Sequence, residues 1–116
     1  MAFERFTKIR GRSFVPKVGI WARGQIGFNK GAMEKFRIQD YDFAVLFFDE
    51  EERKIGIKLT NDPKEEGANK IIKRATGSSF SANAFLNTFD IKHDATRQYD
   101  VEFDETEKLL VVQLEK

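Results

Sequence analysis

The chain has 116 residues, is 41% hydrophobic and 34% charged, and carries a net charge of +1 with no cysteine. That suffices for one domain with its own core and excludes a disordered tail; no apolar run approaches the roughly 20 residues that span a bilayer. Without cysteine there is no disulfide framework, thiolate nucleophile or cysteine zinc site, and the start "MAFERFTKIRGR" lacks a signal-peptide pattern, so a cytoplasmic protein is expected.

Residues 1–13 form a basic arm. In "FTKIRGRSF", Lys8, Arg10 and Arg12 share parity, so an extended strand points them one way, about 6.6–6.8 Å apart. Lys17 and Arg23 continue the patch. Residues 1–36 hold eight Lys/Arg against two Glu, whereas residues 37–116 hold twelve against seventeen acids. A basic front on an acidic back points to an anionic partner. Such a strand either lies on a phosphate backbone or is a sheet edge whose cations ward off unwanted pairing.

Strands at 14–21 and 25–28 flank a glycine turn. Asn29 then caps a short helix with apolar positions Ala32, Met33 and Phe36, weakened by about 1 kcal/mol at Gly31. The β-rich runs "DFAVLFF" (42–48) and "RKIGIKL" (53–59) flank the acidic turn "DEEE" and read as a hairpin. Alternation turns Ala44, Leu46 and Phe48 inward and leaves Phe43, Val45 and Phe47 on the outer face. Three large apolar residues there must be covered. Either Phe3 and Phe6 of the arm fold over them, or they are a self-association or partner surface. "TNDPKEEGANK" (60–70) has the signals of a surface connection. Strands at 70–75 and 78–80 follow. A second helix carries the stripe Ala82, Phe85, Leu86 and Phe89 behind a Ser81 cap, and a hairpin at 98–103 and 108–114 surrounds "DETE", with Tyr99, Val101 and Phe103 inward.

The elements repeat. Lys17 to Ile38 align with Lys70 to Ile91 at an offset of 53 residues, placing Gly24 on Gly77 and Phe36 on Phe89; residues 48–59 align with 103–114 at an offset of 55. One copy (14–59 or 70–115) cannot close its own sheet, but two interleaved copies can. The expected fold is mostly β with two short helices, a pseudo-twofold β-barrel forming one domain over 1–116.

Element order, the glycine before the short strand and the "F-x-I" that closes each helix resemble the AbrB-type swapped-hairpin family, here with two copies in one chain; related cradle-loop barrels share the pattern. The resemblance implies DNA binding and transcription regulation. The family's signature, Gly-Arg-(Ile/Val)-x-(Ile/Leu)-Pro, reads Gly24-Gln25-Ile26-Gly27-Phe28-Asn29 here, with Arg23 one residue early. The second copy, "GSSFSA", has neither the arginine nor the proline.

No catalytic pattern is apparent. The single histidine, His93, lies in a polar loop, Ser78, Ser79 and Ser81 read as a strand end and a cap, and neither acidic turn has calcium-loop spacing. Trp21, Phe14 and Tyr41 read as core or rim aromatics. No cofactor or metal is expected. The sequence points to a non-catalytic, nucleic-acid-associated or regulatory protein binding DNA through Lys8, Arg10, Arg12, Lys17 and Arg23. The alternative is an assembly module or homo-oligomer using Phe43, Val45 and Phe47.

Overall fold

A computed structural model describes residues 15–75 and 77–114. Lys8, Arg10, Arg12, Phe3, Phe6 and Phe14 lie outside the described residues. β1 (Lys17–Ile20) and β2 (Gln25–Asn29) lead into helix α1 (Lys30–Lys35) and a 3-10 turn (Ile38–Asp40), then the hairpin β3 (Phe43–Asp49) and β4 (Lys54–Thr60). The second half runs β5 (Asn69–Lys70), β6 (Ile72–Arg74), β7 (Gly77–Ser81), α2 (Asn83–Thr88), and the hairpin β8 (Arg97–Asp104) and β9 (Leu109–Gln113). Both expected helices and both expected hairpins are present.

Neighbouring strands pair antiparallel in the order β5-β3-β4-β9-β8-β1-β2-β7-β6. β5 and β6 are consecutive in the chain, separated only by Ile71. The two ends of the strand order therefore belong to one stretch of backbone, which pairs with β3 through Lys70 and with β7 from Ile72 onward. The result is a nearly closed barrel, which leaves little free edge for unwanted pairing. The sequence predicts one strand over 70–75. It is divided at Ile71, whose N–H bonds the Asp42 carbonyl at 2.8 Å while its side chain enters the core.

Pairing crosses between the two halves: β1 lies against β8, and β5 against β3. At the opposite sides of the barrel, Gly27 faces Ser79 and Gly56 faces Val111. The second pair has the expected hairpin offset of 55, whereas the first is 52 apart, one short of 53. Turn lengths account for this. Four residues, 21–24, link β1 to β2, but only residues 75–76 link β6 to β7, and α2 regains the register through Ala82. Left-handed backbone also recurs at the repeat offsets: Arg37 (φ 55°) with Asp90 (φ 52°), and Arg53 (φ 55°) with Lys108 (φ 59°).

The same shift explains two departures from expectation. Ser81 is the last residue of β7 instead of a helix cap, and α2 starts after Ala82 without a side-chain cap. Gly24 occupies the left-handed region (φ +87°), but Gly77 is an extended strand residue facing Asn29. Asn29 is the expected cap and more. Its Oδ1 accepts from Ala32 N–H at 2.8 Å and Lys17 N–H at 3.0 Å, and its Nδ2 donates to the Val15 carbonyl at 2.8 Å. One side chain thus fixes the start of α1 and the entry to β1 together.

The core is built by the inward residues of each strand, among them Ile20, Ile26, Ile55, Ile57, Phe80 and Leu110, closed at the ends by Ile38 and Leu86. Among the described residues no helix is long and apolar enough to cross a membrane.

Candidate functional site

Inward placement of Val18, Ile20, Ile26, Phe28 and Phe80 turns the alternate residues of β1, β2 and β7 outward. Most of these are small: Gly19, Gly27, Gly77, Ser79 and Ser81. Trp21 lies across the resulting shallow floor. A β-carbon added at Gly19 would fall 2.8 Å from the indole Nε1, and one at Gly27 would fall 2.5 Å from Cζ2. The indole therefore rests directly on the backbone of two adjacent strands, which only glycine permits. Its own backbone is fixed by the turn, with Trp21 N–H bonded to the Gln25 carbonyl and Gly24 N–H to the Trp21 carbonyl, both at 2.8 Å. The side chain remains half-buried, with one side open to solvent.

Cations surround this aromatic platform. Lys17 and Arg74 line the hollow of about 260 Å³ beside it, together with Gln98 and Asn29, and among the described residues no carboxylate lines that hollow. Arg23 is exposed in the turn next to Trp21. Lys17 is ion-paired with Asp100 of β8, whereas Arg23 and Arg74 have no ion-pair partner among the described residues. Ser78 pairs with Phe28 and shares its inward face, so its buried Oγ, which has no hydrogen-bond partner among the described residues, points away from the indole.

Of the five basic residues singled out by sequence, the structure thus describes two, Lys17 and Arg23, placed at opposite ends of β1. Val15, where the described chain begins, is bonded to Asn29 at the Lys17 end of the same face. Sequence reading missed Arg74 and assigned Trp21 to core or rim. The signal for the platform is the shared parity of Gly19 and Trp21, with Gly27 opposite Gly19 across the β1–β2 turn.

The apolar face of β3 is divided. Val45 is buried, and the nearest atom to a β-carbon built on Gly67 would be its Cγ1 at 3.6 Å, so the connection after β4 covers it. Lys58, opposite Val45, holds that connection through an ion pair with Glu65 at 2.6 Å. Phe43 is half-buried, and Phe47 is 46% exposed.

The remaining polar clusters have structural partners. Asp49 accepts from Glu52 N–H at 3.1 Å and Asp104 from Thr106 N–H at 2.9 Å, each closing its hairpin turn. His93 Nδ1 lies 2.9 Å from the Ile91 carbonyl. Among the described residues no three His, Cys, Asp or Glu side chains are grouped to hold a metal. No family model matches the chain, and no curated protein or solved structure matches it either.

Proposed function

We propose that this protein is a non-catalytic nucleic-acid-binding protein that takes a strand across the outer face of β1, β2 and β7. The observation behind the reading is the Trp21 indole seated on Gly19 and Gly27 with Lys17, Arg23 and Arg74 around it. An indole held rigid by the backbone stacks a base at little entropic cost, and base–aromatic stacking contributes roughly 1–3 kcal/mol per base. Cations at the rim add the salt-sensitive, sequence-independent part by releasing counterions from phosphate. Gln98 offers hydrogen bonds beside the indole. Lys8, Arg10 and Arg12 lie outside the described residues and precede, in sequence, Val15, which is bonded at the Lys17 end of this face. The architecture we read as a two-copy swapped-hairpin barrel, because the first strand of each half pairs with the hairpin of the other. A cysteine-free chain of this kind suits the cytoplasm.

Titrating a fluorescein-labelled single-stranded DNA and its RNA counterpart while following Trp21 emission tests this. The chain has a single tryptophan, so quenching reports the platform alone. Binding with quenching that weakens steeply between low and moderate salt is expected. Absence of binding at low salt refutes the proposal.

A second reading draws on Phe47, which stands 46% exposed across from Gly56 on a face shared with Leu109. On that reading the face pairs with another protein or a second copy, and added salt leaves the association intact.

A further inference from the structure

The two ends of the barrel are built by equivalent segments, and they have diverged. At one end Phe48 packs against Phe85 and Phe89 of the α2 segment, with ring centroids 5.9 and 4.7 Å away. Arg53 lies over the same ring at 5.2 Å. At the repeat offsets, the other end has Phe103 for Phe48, Lys108 for Arg53, Phe36 for Phe89 and Ala32 for Phe85. The phenyl group found at position 85 has no counterpart at position 32. Phe103 is left 46% exposed, and a cavity of about 570 Å³ opens beside it.

Strand pairing keeps the cavity open. β4 pairs with β9 only as far as Ile57 and Leu110; the next inward position, Leu59, faces the turn where Lys108 adopts φ 59°. Among the described residues, β9 therefore leaves Leu59 without a paired neighbour on that side. The floor is apolar, formed by Phe36, Tyr41, Ile57, Leu59, Phe103 and Leu110. The rim is cationic, formed by Lys35, Arg37, Lys58 and Lys108, and among the described residues no carboxylate lines it. Arg37 is paired with Asp40 at 3.2 Å and Lys58 with Glu65 at 2.6 Å. Lys35 lies over the Phe36 ring, 5.7 Å from its centroid, and neither Lys35 nor Lys108 has an ion-pair partner among the described residues. The equivalent hollow at the other end contains Asp90 in place of Arg37, alongside Arg53, and so offers mixed charge.

We infer that this cavity binds a small amphipathic anion, a medium-chain fatty carboxylate, with its chain between Phe36 and Phe103 and its head group at Lys35 and Lys108. An apolar floor of this size falls within the ordinary range for ligand sites, roughly 300–1,000 Å³. Unpaired cations at its mouth select the charge of the head group, while the floor sets the length of the chain. None of the lining residues belongs to the Trp21 face, so the inference stands apart from nucleic-acid binding.

Calorimetric titration with octanoate, decanoate and dodecanoate tests it, alongside chemical-shift mapping on isotopically labelled protein. One molecule is expected per chain, with affinity rising about three- to fourfold per methylene until the cavity is filled. Shifts are expected at Phe36, Tyr41, Leu59 and Phe103. The exposed double variant K35E/K108E should weaken decanoate at least about tenfold. The inference is overturned by the absence of heat and shift changes up to millimolar decanoate, by shifts confined to other residues, or by an affinity that K35E/K108E leaves unchanged. A folded K35E/K108E spectrum without ligand is the reference for the comparison.

Discussion

Asn83 at the start of α2 stands so close to Gly24 that a β-carbon at position 24 would fall 1.6 Å from its side-chain oxygen. Gly24 also has φ +87°, and its carbonyl accepts from Ala82 N–H at 2.9 Å. The turn between β1 and β2 is therefore fitted to the beginning of the second helix. Gly24→Ala is expected to cost about 3 kcal/mol in urea denaturation, combining a left-handed alanine, roughly 1–2 kcal/mol, with overpacking of roughly 1–3 kcal/mol. Adding Asn83→Ala removes the clash and leaves the backbone strain, so the double variant should recover about half of the loss. An additive or worse double variant contradicts this account.

Asn29 binds three backbone groups with one amide, at Val15, Lys17 and Ala32. Asn29→Ala is expected to destabilise by about 2 kcal/mol, the upper end for a lost helix cap, because two further backbone groups lose their partner. Asn29→Asp keeps the acceptor and loses only the donor to Val15, so it should cost distinctly less. Comparing the two midpoints in urea checks the assignment.

The helix cap at Asn29 was legible in sequence because polar cap and apolar stripe adjoin without a break. At Ser81 the same pattern misled: the strand pairing of Gln25 with Ser81 extends β7 by one residue and pushes the helix start to Asn83. The hairpins were legible because β-rich runs flank the acidic turns and period-two alternation is strong in 53–59 and 97–104, although 43–48 is apolar on both faces. Division of the strand at Ile71 was not, since nothing local distinguishes a strand that changes partners from one that keeps them. The outer face of β3 shows the limit most clearly. Val45 reads as exposed by parity, and only the path of the connection through Gly67 buries it. Likewise the aromatic platform requires Gly19 and Gly27 to be neighbours across two strands, which is a property of register and not of either strand alone.

Val45 and Phe47 share a face but should respond differently to truncation. Val45 is 6% exposed and Phe47 is 46% exposed. Val45→Ala is expected to cost about 1–2 kcal/mol through the cavity it leaves beneath Gly67. Phe47→Ser is expected to stay within roughly 0.5 kcal/mol, as surface changes generally do. Mass in solution decides whether Phe47 pairs with a second copy: a change of assembly state in Phe47→Ser supports self-association, and an unchanged monomer removes it.

Trp21 and Gly27 separate stacking from folding. Trp21→Leu removes the indole from an outer face and leaves the inward core untouched, so single-stranded DNA affinity should fall about tenfold while the urea midpoint moves little. Gly27→Ala places a methyl group beneath the indole and should lift it, shifting Trp21 emission to the red and weakening the same affinity. If Trp21→Leu binds as tightly as the parent chain, the indole is not the base-contacting group.

Among the described residues, Lys17 is the one cation of the platform held by an acid. Its ion pair with Asp100 joins a side chain 35% exposed to one 83% exposed, so solvent screens it and its share of stability is small, roughly 0–1 kcal/mol. Asp100 also places a negative charge where a phosphate would approach. Asp100→Asn should therefore leave the fold nearly as stable, free Lys17 for phosphate, and raise nucleic-acid affinity at low salt. The slope of log affinity against log salt should steepen by about 0.7 for a single strand, the increment for one added phosphate contact. Lys17→Gln in the same assay should leave the slope nearly unchanged, because the parent lysine is already neutralised by Asp100. If Asp100→Asn lowers the affinity, the strand does not pass the Lys17 end of the face, and the track from the amino-terminal arm to Trp21 is excluded.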